Sequence, residues 1–510
     1  MSDEDGTLGT VPSAPAGEEG YQEPDILDTS AAGGLVIRGG VLRLTSYVAV
    51  VGLSVVSAAI LTRYLGVSLF GRYTTVISLV SIVTVVTDAG MSSLGTREYA
   101  VREGADRDAL IRDLLGLRVA LTTIGVLLAT AFAALAGYDT PLLLGTVVAS
   151  VATFALVYQH TLSIPLSTDL RLGTLALLEF ARQLMTVIVL VALVLVGAGV
   201  LPLLAVNLLV YLVLVPVNAA LVRGRMPLRV ELRPRRWLSL LGLTVSFSLA
   251  TAVGTIYIYT AQILASLVTS EHQSGLFAVS FRVYIALAAI PGLLVGGALP
   301  LLARAARDDR KRLSYALQRI FEVGLILGIA TALGLLAGAR FIEQVVGGPK
   351  YAGAVEVIRI QGFGMIASFL IASWGYALLS IKRYGALLAV NAAALLVSAA
   401  ATLVLAAAHG AQGAAVATLC GEATLALGCL IVLIRDHPEL RPHPSSLPRV
   451  LLAAVPPFAA ALLLNVPSLA LTVVVLLVYF GLIAVTRAVP QEIVDILLVS
   501  LRRSSGSVDR

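Results

Sequence analysis

Long apolar runs alternate along this chain with short polar connections rich in arginine. A helix needs about 20 apolar residues to cross the hydrocarbon core of a bilayer. That ruler predicts fourteen spans, at about 44–65, 73–95, 114–137, 141–164, 173–198, 201–222, 238–268, 276–302, 315–338, 353–379, 385–408, 411–434, 449–466 and 468–487. The runs lack the two-residue alternation of an outer-membrane barrel, so the expected fold class is an all-α integral membrane protein. Gly197-Ala198-Gly199 and Pro202 divide 173–222 into two spans, and the short run 449–466 contains Pro456-Pro457.

The polar connections supply the orientation. Alternate connections, with the two chain ends, hold 28 of the 36 Lys and Arg residues; the opposite set holds five, Arg63, Arg72, Arg340, Lys350 and Arg359. Arg182, Arg282 and Arg319 fall inside spans. Basic residues concentrate on the cytoplasmic side, so both ends are expected there. No connection is long enough to fold as a domain, so function must lie between the helices.

Composition agrees with the pattern. Of 510 residues, 58% are apolar and 13% charged, and the mean hydropathy is +0.93. Such a chain is solvated mainly by lipid, which excludes soluble enzymes, disulfide scaffolds and nucleic-acid-binding modules. The net charge of +6 conceals an asymmetry, because residues 1–34 carry eight acids and no Lys or Arg. That segment is too polar to bury a core and reads as a disordered cytoplasmic tail. It lacks the basic start and short apolar run of a signal peptide. Cys420 and Cys429 point to opposite faces of one helix and read as buried fillers.

Charges within spans are expensive and each needs a reason. Arg282, roughly 9 Å below the outer end of its expected span, reads either as a phosphate ligand or as a snorkelling or acid-paired arginine. Arg63 either bends into a central cavity or anchors at the interface, and Arg72 beside Gly71 is expected to be solvated. Asp88 either carries a coupling proton or caps the turn at Ala89-Gly90. Glu179 with Arg182, and Arg319 with Glu322, are spaced i,i+3 and read as structural pairs. Glu422 lies near mid-bilayer with no charge at i±3 or i±4. It is therefore either a proton or cation coupling site or a protonated packing residue. Tyr257 and Gln262, with Tyr259, could offer a sugar a stacking face and hydrogen bonds, although Tyr257 and Tyr259 cannot face the same way.

A resemblance sharpens this. Arg63-Tyr64-Leu65-Gly66-Val67-Ser68-Leu69-Phe70-Gly71-Arg72-Tyr73, then Ser78-Leu79-Val80-Ser81, Thr87-Asp88-Ala89-Gly90 and Arg97-Glu98, resembles the first hairpin of the polysaccharide flippases. These are the O-antigen and exopolysaccharide exporters of the multidrug/oligosaccharidyl-lipid/polysaccharide superfamily. Gly275-Leu276-Phe277-Ala278 through Arg282, Pro291 and Leu299-Pro300 resembles that family's eighth helix. Val346-Gly347-Gly348-Pro349-Lys350-Tyr351 and Gly410-Ala411-Gln412-Gly413-Ala414-Ala415 resemble the starts of its tenth and twelfth. The resemblance covers about 35–435, and the last two helices match in number more than in sequence.

It implies two six-helix lobes, 35–222 and 238–434, with a substrate site at their interface and Arg282 as its phosphate ligand. A basic linker 223–237, a linker 435–448, two appended helices at 449–488 and a tail 489–510 complete the expected organisation. The implied substrate is a polyprenyl-(pyro)phosphate-linked oligosaccharide, flipped by alternating access. A cation-coupled drug antiporter of the same superfamily is the alternative. A membrane-embedded glycosyltransferase or ligase fits less well, because His272, Glu271, Glu343 and His409 form no motif. The histidines form no H-x-x-x-H or H-E-x-x-H pattern and there is no Walker loop. No cofactor or metal is expected beyond a coupling H⁺ or Na⁺. The expected partners are the lipid-linked substrate, membrane lipids and glycosyltransferases or a polymerase of the same route, around a monomer that binds no nucleic acid.

Overall fold

The computed structural model describes residues 30–488, apart from 89, 170, 225, 228, 229, 232, 297, 465 and 487. Residues 1–29 of the expected acidic tail and all of 489–510 lie outside that range, and 30–34 open the first helix. The described elements are helical: α1 Ser30–Asp88, α2 Met91–Val101, α3 Gly104–Leu135, α4 Thr140–Thr168, α5 Leu172–Leu195, α6 Val200–Leu204, α7 Val206–Leu221 and α8 Pro234–Val268. They continue with α9 Glu271–Gly296, α10 Leu299–Asp308, α11 Arg310–Val346, α12 Ala354–Ser380, α13 Tyr384–Ala401, α14 Ala407–Asp436, α15 Leu447–Leu463 and α16 Ser468–Val485.

Eleven stretches among the described residues are long and apolar enough to span a membrane, and Leu447–Leu463 is a shorter apolar helix. Two of the eleven, Ala49–Asp88 and Tyr384–Asp436, are long enough for two crossings each. Each breaks at a glycine in the left-handed region, Gly66 (φ 69°) and Gly410 (φ 58°), where a side chain would be strained. The limbs on either side of Gly410 run antiparallel. A Cβ on Gly413, Gly421 or Gly428 would meet Leu405, Ser398 or Val390 in turn. The limbs of α1 reverse likewise. Ser57 meets Gln183 and Tyr64 meets Ala198, parallel to α5, whereas Arg72 meets Asp139 and Asp88 meets Arg118, antiparallel to α3. With both reversals counted, and the shorter helix added, the described chain crosses fourteen times.

We call upper the end that carries Arg63, Arg72, Asp139, Glu271 and Val346, and lower the opposite one. Two span boundaries differ from expectation. The second span ends at Asp88 rather than near 95, because left-handed Gly90 starts the separate helix α2. The eighth span runs from Glu271 to Gly296, and Leu299-Pro300 opens the separate helix α10. α16 packs on α11 through Tyr479, fully buried, whose hydroxyl donates to the Ile326 carbonyl at 3.1 Å.

Candidate functional site

The upper end is shut. A Cβ on Gly71 would lie 2.8 Å from the Gly275 nitrogen, and one on Gly275 would lie 2.0 Å from the Val67 carbonyl oxygen. Only residues without side chains let α1 and α9 approach so closely. Arg72 pairs with Asp139 and reaches Glu271 at 3.7 Å, tying α1 to the start of α4 and of α9. It is thus ion-paired rather than simply solvated, and its hydrogen bond holds the Asp139 carboxyl below the ordinary aspartate range. Nearby, the Thr62 hydroxyl donates to the Val346 carbonyl, and the Tyr351 hydroxyl donates to Thr62 O at 3.1 Å. Arg63 Nη2 donates to the carbonyls of Gln344 (2.8 Å) and Val345 (3.0 Å). These belong to the last turn of α11, where acceptors lack intrahelical partners and a cation is favoured. Arg63 therefore caps α11 and does not bend into the space between the helices.

Below the closure, a cavity of about 570 Å³ opens among α1, α4, α5, α7 and α8. Its polar wall includes Gln159, His160, Glu179, Arg182, Asn207 and Tyr211. Glu179 and Arg182 form the expected pair, with Arg182 Nε donating to Glu179 Oε2 at 3.1 Å. The charges of Asp88, Arg118, Glu179 and Arg182 all act on His160. Asp88 accepts from Arg118 Nη2 at 2.6 Å and from the Ser92 hydroxyl at 2.6 Å. Arg118 is fully buried and also donates to Thr161 Oγ1 at 2.6 Å. Sequence position groups Arg118 with a polar connection; tertiary packing puts it inside the bundle as the partner that neutralises Asp88.

A second cavity, of about 390 Å³, lies towards the lower end among α8, α9, α12 and α13, with Thr251, Ser368, Tyr376, Tyr384 and Asn391 on its wall. Beside it Glu422 is buried. The Tyr257 hydroxyl donates to Glu422 Oε1 at 3.0 Å, and the Tyr284 hydroxyl faces the same carboxyl. No cation pairs with Glu422 among the described residues. Gln262 is fully buried and donates to Ser274 Oγ at 3.2 Å. Tyr257 and Gln262 therefore lie in the packing and line neither cavity, whereas Tyr259 lines the first.

Arg282 is different. Because α9 starts at Glu271, the side chain sits roughly 16 Å below the upper helix end, deeper than the sequence reading places it. It is half-buried, its charge reaches Tyr73 of α1, and no hydrogen bond or ion pair engages it among the described residues. Arg118, Arg182 and Arg319, by contrast, each hold a carboxylate.

His160, Gln159, Tyr211 and Asn391 were not singled out from sequence. The adjacent Gln159-His160 inside an apolar run was a readable signal; Tyr211 and Asn391 gave none.

A profile of the family described as polysaccharide biosynthesis protein matches residues 60–323, more than half of the chain. The chain belongs to that family. Over 80 residues it is 40% identical to the EPS I polysaccharide export inner membrane protein EpsE of Ralstonia solanacearum, a stretch spanning 15% of this chain and 18% of that relative. The fold is similar to that of the lipid II flippase MurJ in its inward closed conformation. The TM-score is 0.72 at 14% identity, over 87% of this chain and 98% of that one. It is also similar to an inward-facing multidrug resistance MATE family transporter of the MOP superfamily, at a TM-score of 0.64 and 12% identity, over 78% of this chain and 98% of that one. The family and the many-helix transporter fold expected from the first hairpin are therefore both present.

Proposed function

We propose that the chain carries a polyprenyl-(pyro)phosphate-linked oligosaccharide across the inner membrane for polysaccharide biosynthesis, by alternating access between lobes 35–222 and 238–434. Fold alone does not choose the substrate, since a multidrug transporter shares it. The observation that carries the reading is Arg282, a guanidinium with no partner among the described residues, deep in the bundle beside Tyr73 and below the closed end. A guanidinium stays charged there and grips phosphate through paired donors, whereas it would repel a cationic drug.

The split of basic residues makes the upper end external, so this conformation is closed outward. The polyprenyl tail stays in lipid while the charged head passes between the lobes. No covalent bond changes, so no nucleophile is required. Glu422 is the favoured coupling group, because Asp88 is already neutralised by Arg118.

The test uses vesicles containing the purified protein and a fluorescent polyprenyl-diphosphate oligosaccharide. Arg282→Ala should slow flipping roughly ten- to hundredfold, the loss of one or two charge-assisted hydrogen bonds, at unchanged protein level. Arg282→Lys should recover part of the rate. Wild-type rates in Arg282→Ala would overturn the assignment.

A further inference from the structure

The lower face carries a second cationic site that the transport reading does not use. A pocket of about 460 Å³ lies between α10 and the turn joining α12 to α13, and its charged lining is Arg304, Arg307, Arg310 and Lys382. Arg307 bonds its exposed neighbour Asp308 at 3.0 Å, and Arg310 reaches Glu439 at 3.6 Å. Arg304 and Lys382 are exposed, with no ion pair or hydrogen-bond partner for either side chain among the described residues.

Three features separate this pocket from an ordinary basic connection. First, Lys382 has φ 61° and is the single non-glycine residue at positive φ among those described. Its N–H bonds Leu379 O at 3.1 Å and the Arg383 N–H bonds Leu378 O at 2.9 Å, the closure of a helix end that glycine normally takes. A lysine in that strained position points to a use for its side chain. Second, α10 is built for the membrane surface, with Leu302 buried, Leu301 well exposed and Arg304 and Arg307 one turn apart. Third, the pocket adjoins the second cavity: Leu379 and Tyr384 line the cavity, and Ser380, Ile381 and Lys382 between them line the pocket.

We propose that this pocket binds the phosphate or diphosphate group of a lipid in the lower leaflet and holds it at the mouth of the second cavity. Guanidinium forks and a lysine ammonium supply the donors that phosphate oxygens require, while α10 lies where a lipid headgroup lies. The direction of travel from pocket to cavity rests on the transport reading; the binding does not. Two lipids carry this chemistry, a polyprenyl diphosphate and an anionic phospholipid.

Native mass spectrometry of the full chain from vesicles distinguishes them, with undecaprenyl diphosphate in one arm and phosphatidylglycerol in the other, each against phosphatidylcholine. The variant is Lys382→Gly with Arg304→Gln. Glycine at 382 relieves the backbone strain and Arg304 is exposed, and wild-type thermal stability of the variant separates loss of binding from loss of fold. Removing two surface cations should weaken retention roughly thirtyfold in at least one arm. Loss in the diphosphate arm makes the pocket a substrate dock, and loss confined to phosphatidylglycerol makes it a phospholipid site. Unchanged retention in both arms overturns the proposal. Failure of the wild type to bind the diphosphate would count against the transport reading, leaving the phospholipid arm to decide the pocket.

Discussion

At the scale of single residues, partners separate charges that look alike in sequence. Asp88 and Glu422 are both acids in apolar helices, but Asp88 has Arg118 at 2.6 Å, while among the described residues Glu422 meets the hydroxyls of Tyr257 and Tyr284 and no cation. A carboxylate without a cation costs at least about 2.5 kcal/mol at mid-membrane on insertion scales. Glu422 is therefore a group for which gaining or losing a proton changes the energy of the surrounding packing. Glu422→Gln keeps the size and the bond from Tyr257 and removes the titration. It should slow vesicle transport by about tenfold, roughly the difference between a charged and a neutral hydrogen bond, and flatten its dependence on pH without lowering expression. An unaltered rate and pH profile in the Gln variant would remove Glu422 from coupling.

At the scale of elements, the decisive contact is that of α1 with α9. Gly71 and Gly275 face each other at the upper end, and the ion pairs of Arg72 with Asp139 and Glu271 lie alongside. Gly275→Ala drives a methyl group into the Val67 carbonyl, which is backbone and cannot rotate away. Overpacking of this kind typically costs 1–3 kcal/mol, and it falls on the shut upper end. Spin labels at Leu69 and His272, both exposed at that end, should report a longer and broader distance distribution in Gly275→Ala than in the wild type. Identical distributions would mean that the glycine contact does not hold the closure.

For the whole molecule, the fourteen crossings and the basic split make a joint prediction about sidedness. Lys350 and Val230 are both exposed at opposite ends of the bundle. Lys350→Cys should react with an impermeant maleimide on intact cells, and Val230→Cys only after permeabilisation. The reverse pattern would invert the molecule and turn the closed upper end into a cytoplasmic one. Closure at one end with cavities below it fits the proposed alternating access, in which the path is never open at both ends together.

The sequence by itself determined the spans and the family. Both depend on local properties: apolar length measures a bilayer, arginine count orients connections, and the motif around Gly66 and Gly71 sits in one continuous stretch. The Glu179–Arg182 pair was readable for the same reason, since three residues on a helix place two side chains on one face. Tertiary structure alone decided which charges are neutralised. Arg118 and Asp88 are 30 residues apart, Tyr257 and Glu422 are 165 apart, and Arg63 finds its carbonyls 281 and 282 residues away. A pattern of hydrophobicity carries no record of which distant helix a side chain will meet. In lipid that meeting decides whether a charge is structural or available to a substrate, because no water is present to solvate it when no partner is.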